Sequence, residues 1–145
     1  MRLTKDFILQ EFVPKEIFEQ FGERSLMFID PMLPALVQAI RNAFGVPVTL
    51  NTWHIGGTRN ECGYRVPNTT TGAKYSQHKF GRAADLHCAD LSVKEMFDIV
   101  NNNFKGLSFL GLTTIENINS TPTWLHIDTR WTGLIAPTEL NIVNP

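Results

Sequence analysis

Apolar positions recur at helical spacing in the first third of the chain. Residues 14–22 read as a short helix: Pro14 suits a first turn, Ile17, Phe18 and Phe21 share a face, and Gly22 ends it. Asp30-Pro31 predicts an N-cap followed by the first helical residue. Met32, Leu33, Leu36, Val37, Ile40 and Phe44 then keep the 3.6-residue period until Gly45 stops the run. This helix is expected to form one wall of the core. Residues 47–53, rich in Val, Thr, Leu and Trp, are β-prone. From Gly56 to Tyr75 the pattern dissolves into Gly, Asn, Thr and Pro, which predicts a long loop; inside a compact domain such a loop is usually functional or disordered.

Periodicity returns at residues 83–88, which read as a strand. Ser92 and Glu95 have capping-box spacing, and Val93, Met96, Phe97, Val100 and Phe104 make one helical face behind them. Gly111–Ile115 and Trp124–Arg130 read as two further strands joined by the polar stretch Asn117–Pro122. Helices first and strands later predict an α+β fold. A single domain over residues 1–145 is expected, with N-terminal helices to about residue 45 and a functional core over about 46–132.

Composition narrows the function classes. The 145 residues carry 13 Lys plus Arg against 14 Asp plus Glu, a net charge of −1, so there is no basic excess for nucleic acid. With 43% hydrophobic and 10% aromatic residues, the chain is expected to bury a real core. The longest weakly charged stretch, Ser25–Ile40, holds Asp30 and two prolines and is too short to span a bilayer. No secretory signal is visible at the start, so synthesis in the cytoplasm without a cleaved leader is expected. Cys62 and Cys88 are too few for a disulfide scaffold and have no zinc-ribbon spacing; two free thiols are the simpler reading and one disulfide the alternative.

Two segments carry chemistry. In Ser76-Gln77-His78-Lys79-Phe80-Gly81-Arg82-Ala83-Ala84-Asp85, His78 and Asp85 are good ligands for a divalent metal, and Gly81 permits a reversal that lets them converge. In Trp124-Leu125-His126-Ile127-Asp128-Thr129-Arg130, alternation puts His126, Asp128 and Arg130 on one face of a strand and Leu125 and Ile127 on the other. His78, Asp85 and His126 together offer two nitrogens and one oxygen, the three-ligand set of a catalytic zinc site that keeps a fourth position open.

The pattern S-x-H-x-x-G-x-A-x-D at Ser76, His78, Gly81, Ala83 and Asp85, with aromatic-aliphatic-His-aliphatic-Asp at Trp124–Asp128, resembles the zinc D-alanyl-D-alanine carboxypeptidase and Hedgehog-type superfamily. The likeness is greatest to its short peptidoglycan-cleaving members of bacteria and phages and covers roughly residues 47–130. It implies a small antiparallel sheet with helices packed on it and the metal at the sheet face. It also implies a peptidase that cleaves a wall peptide bond with water activated at one Zn2+, held by His78, Asp85 and His126.

Such a protein would work as a monomer on peptidoglycan peptides, acting at the cell wall or riding in a virion. In many members an acid stands three residues before the last histidine ligand; here that position is Thr123. Glu116 and Asp128 are both candidates for the base, Asp128 having the alternative of orienting a ligand or pairing with Arg130. If neither acts, the chain is an inactive metal-binding structural or wall-binding module, and a partner-binding role like that of the Hedgehog signalling fold is a third reading. Arg59 or Arg65 is a candidate to hold a substrate carboxylate, the alternative being a solvated loop arginine, and Ser76 is a candidate either to bind a ligand or the substrate or to cap a turn. His87 is read as a neighbour of the site or a surface residue, His54 as structural, and Trp53, Trp124 and Trp131 as core or groove residues.

Overall fold

The computed structural model describes residues 1–133 and 137–144. Among the described residues four α-helices, α1 (Lys15–Phe21), α2 (Leu33–Phe44), α3 (Val93–Asn102) and α4 (Phe104–Ser108), accompany four strands: β1 (Ala83–Leu86), β2 (Thr114–Glu116), β3 (Leu125–Asp128) and β4 (Asn141–Val143). The α+β class is as expected. The sheet runs β1-β3-β2-β4 and is mixed: β1 and β2 pair with β3 antiparallel, but β4 lies parallel to β2. The expectation of a purely antiparallel sheet is therefore corrected. The strand responsible is three residues long and exposed on most of its surface, so it leaves no hydrophobic alternation to read.

The longest predicted helix forms because its apolar residues all fall on one side. Leu33, Leu36, Val37, Ile40 and Phe44 are buried, and Gly45 closes the last turn at φ +71°. It starts at Leu33, later than the predicted Asp30-Pro31 cap, yet Asp30 still ties the entry: its carboxylate accepts the Met32 N–H at 2.9 Å. Helix α3 begins with the predicted capping box, Ser92 Oγ accepting from Glu95 N and Glu95 from Ser92 N. It stops at Asn103, whose side-chain amide donates to the Ile99 carbonyl at 2.8 Å, so Phe104 opens a separate short helix. Residues 47–53 are not a strand. Only Thr49 bridges to His87; Asn51 instead bonds Val13 O and Cys62 N through its buried side chain, and Trp53–Ile55 curl into a 3-10 helix.

The core lies between the helices and one face of the sheet. Ala84, Leu86, Ile115, Leu125 and Ile127 meet α2, α3 and α4 in one buried cluster. The alternate positions point away from it. Across the sheet, Asp85 pairs with His126, the β2–β3 register continues to set Glu116 beside His126, and Glu116 pairs with Val143. A second row, Ala83, Asp128, Thr114 and Asn141, runs parallel to the first. Burying these aliphatics thus fixes which polar residues stand together on the opposite face.

Gly81 joins the two layers. It sits at φ +68°, ends the 3-10 helix Gln77–Phe80 and turns the chain into β1, while a Cβ there would strike the Phe28 carbonyl. Gly81→Ala should destabilise the protein by about 2 kcal/mol or more, since left-handed strain and a backbone clash add. Denaturant unfolding measures this, and a change below a few tenths would contradict the assigned geometry.

Candidate metal centre

Three side chains from three elements converge. His78 comes from the 3-10 helix, Asp85 from β1 and His126 from β3, and all are buried. His78 Nε2 lies 3.2 Å from Asp85 Oδ1 and 3.2 Å from His126 Nδ1, and the third side, His126 Nδ1 to Asp85 Oδ1, is 2.9 Å. The group can hold a metal ion. Donors about 2.0–2.2 Å from a tetrahedral ion stand about 3.4 Å apart, so this triangle needs to spread by only a few tenths of an ångström.

The far sides of the ligands decide what the triangle contains. His78 Nδ1 is 2.7 Å from the Gly63 carbonyl, which only accepts, so Nδ1 carries the proton and Nε2 presents a lone pair. His126 Nε2 donates to Asp128 Oδ2 at 3.3 Å, leaving Nδ1 for the triangle. Asp85 Oδ2 accepts from Arg65 Nη2 at 2.6 Å, leaving Oδ1. Each ligand is thus oriented by a partner on its outer side, the arrangement that fixes tautomers around metals. Asp128 is itself sealed: it is fully buried, and both its oxygens accept from Arg130.

The long loop earns its order at this point. Gly63 O takes the His78 ring, Arg65 N donates to His78 O, Cys62 O accepts from Asp85 N, and Arg65 reaches Asp85. The segment Glu61–Arg65 is therefore a brace around two ligands. It is docked by Tyr64 N donating to Phe12 O at 2.7 Å, where any Cβ on Gly63 would collide with the Phe12 backbone. Farther along, Thr69 and Thr71 hydroxyls donate to the Glu61 carboxylate and hold the rest of the loop as a wall.

Charge follows geometry. Burial works against a charged His126, but hydrogen bonds to Asp128 and Asp85 outweigh it, and its pKa is pushed up to about 9. Burial also opposes ionised Asp85, yet the neighbouring His78 and His126 rings hold it well below the usual carboxylate range. Asp128 is likewise held low, burial being overcome by hydrogen bonds from His126 and Arg130. Burial and the nearby Asp85 charge push the Cys62 thiol up to about 12, so it stays neutral at ordinary pH.

The triangle forms the floor of a cleft of about 310 Å³. Its walls include Arg65, Tyr75, Ser76, Glu116, Trp124 and Arg130. Of the two candidate bases, Glu116 lines this cleft with Oε1 3.8 Å from His126 Nδ1, whereas Asp128 lies behind His126 with its oxygens committed. Arg65 and Ser76 are at the cleft; Arg59 is not, and its guanidinium bonds Leu50 O and Thr49 Oγ1. His87 stays outside the donor group and packs near Cys62 Sγ and the Trp124 ring, and burial first, then Arg59, lowers its pKa. Cys62 and Cys88 are both free. Trp53 donates to Val13 O, Trp124 lines the cleft, and Trp131 is 83% exposed.

Sequence reading missed Gly63, Glu61 and the β4 residue Val143 as parts of the site. A glycine inside a polar loop gives no sign that another backbone passes against it. Among the described residues no helix is long and apolar enough to cross a membrane.

His126 ties stability to pH. In the folded metal-free protein it holds its proton to about pH 9, against about 6.5 unfolded. The stabilisation, on the order of 3 kcal/mol, is fully present below pH ~6.5 and is lost as pH rises through ~9. The melting temperature of metal-free protein should therefore fall across that window, and loading zinc at pH 7 should release about one proton per ion. A flat profile with no proton release would contradict the triangle. No family model, curated protein or solved structure matches the chain.

Proposed function

We propose that the chain is a zinc-dependent peptidase that hydrolyses a peptide bond of bacterial peptidoglycan. One observation carries the reading: three lone-pair donors meet at the floor of an open cleft, and the carboxylate of Glu116 stands in that cleft beside them. Two imidazoles and one carboxylate are the donor chemistry of a catalytic zinc, which keeps a position for substrate or water. The wall-peptide substrate and the Hedgehog-type and carboxypeptidase-like fold come from the motif resemblance at Ser76–Asp85 and Trp124–Asp128, with which the α+β arrangement and the site on the sheet face agree.

When bound, zinc supplies Lewis acidity toward the peptide carbonyl and lowers the pKa of a water at the open position. The chain supplies the rest. Glu116 takes the proton of the attacking water as its oxygen adds to the carbonyl carbon. It then returns that proton to the nitrogen as the C–N bond breaks, leaving a carboxylate and an amine. Asp128, charged and sealed by Arg130, keeps His126 in the ligating tautomer. Thr123 is exposed in the turn before β3, so an acid at that position is not what this cleft uses.

Chelation of purified protein, and His78→Ala, should each abolish release of peptide from purified peptidoglycan. Full activity after metal removal would overturn the proposal. Metal-dependent thermal stability with no turnover on any wall fragment would identify a binding module instead. Glu116→Gln should lower kcat by about 10²–10⁴-fold with zinc affinity nearly kept. Asp128→Asn should instead weaken zinc binding by about 10–100-fold. The reverse pattern would exchange the two roles.

A further inference from the structure

The Asp85 carboxylate has two oxygens, and only one of them faces the imidazoles. Oδ1 lies 3.2 Å from His78 Nε2 and 2.9 Å from His126 Nδ1, while Oδ2 takes Arg65 Nη2 at 2.6 Å. The ion pair is well shielded, with side-chain exposures of 12% for Arg65 and 7% for Asp85. The guanidinium is fixed from its other edges too. Nε donates to Glu61 O at 2.7 Å, and Nη1 packs on Gly72, where a Cβ would come within 2.8 Å of it. Gly72 sits at φ +76°, a conformation that favours glycine. The Arg65 backbone N–H donates to His78 O, so the same residue steadies a second ligand.

We propose that Arg65 is a positioning residue that keeps Asp85 a one-oxygen metal ligand, and so preserves the open position of the site. A carboxylate free to rotate offers both oxygens to a cation and fills one more coordination position. With Oδ2 held by a planar fork that is anchored on Glu61 O, only Oδ1 is available. The protein then gives three donor atoms and no more, and the positive guanidinium balances the carboxylate charge. This assigns Arg65 to the ligand side of the cleft, leaving substrate anions to other groups. The inference rests on the metal-binding part of the function proposed above and does not require that the substrate be a wall peptide.

Cobalt reports coordination number directly through its visible absorption. Wild-type protein loaded with Co2+ should show the intense bands of a four-coordinate ion. Arg65→Lys keeps the charge but loses the fork, and Arg65→Met loses both. Both should show weaker, shifted bands as Asp85 turns its second oxygen to the ion, with cobalt affinity reduced by roughly 10–100-fold. Folded variants with wild-type spectra and affinity would overturn the proposal while leaving the metal site standing. Wild-type protein that binds no cobalt would overturn both. If circular dichroism shows that the variants do not fold, the crystal structure of zinc-loaded wild type decides: Asp85 bound through Oδ1 with Oδ2 on Arg65 supports the proposal, and two-oxygen binding with Arg65 displaced refutes it.

Discussion

The structure depends on a buried meeting of three lone pairs. Two imidazole nitrogens and a carboxylate oxygen stand 2.9–3.2 Å apart with their outer faces already bonded. Three acceptors so close repel unless a cation sits among them. In the metal-free protein that cation is a proton on His126, whose pKa the hydrogen bonds to Asp128 and Asp85 push up to about 9. A divalent ion satisfies all three donors at once. Everything around the triangle serves to hold protons on the far sides and lone pairs on the near ones.

The fold delivers this arrangement through strand register. Because Leu125 and Ile127 must enter the core with Ala84, Leu86 and Ile115, the intervening Asp85, His126 and Glu116 are forced onto the opposite face and into one row. A slip by one residue would bury the ligands among helices and expose the aliphatics. The helices matter to chemistry mainly by paying for that register, since α2, α3 and α4 supply the apolar surface the sheet packs against. The loop contributes the second constraint: residues 61–65 wrap His78 and Asp85 and are themselves pinned to Phe12 near the N-terminus.

Much of this was legible in the residues. The helix through Leu36, Val37 and Ile40, the Ser92–Glu95 cap and the alternation at Leu125–Asp128 are local patterns, and the structure follows them. The convergence of His78 and Asp85 was legible because Gly81 is the sort of residue a sharp reversal needs. Residues 47–53 misled because β-branched composition says nothing about partners, and there the buried Asn51 amide takes the bonds a neighbouring strand would have made. β4 is too short to show a period. Glu116 and Asp128 were equivalent as letters; only three-dimensional placement puts one in the cleft and the other behind His126 under Arg130. Arg59 and Arg65 were likewise interchangeable in sequence, and their separate bonding partners tell them apart.

The most direct measurement is the zinc stoichiometry of the purified, metal-stripped chain, read by equilibrium dialysis with elemental analysis. One tightly held ion per chain in the wild type, lost on replacing His126 by Ala, is the result expected from the converging donors. A wild-type chain that retains no zinc at neutral pH would contradict the metal centre on which the proposed chemistry rests.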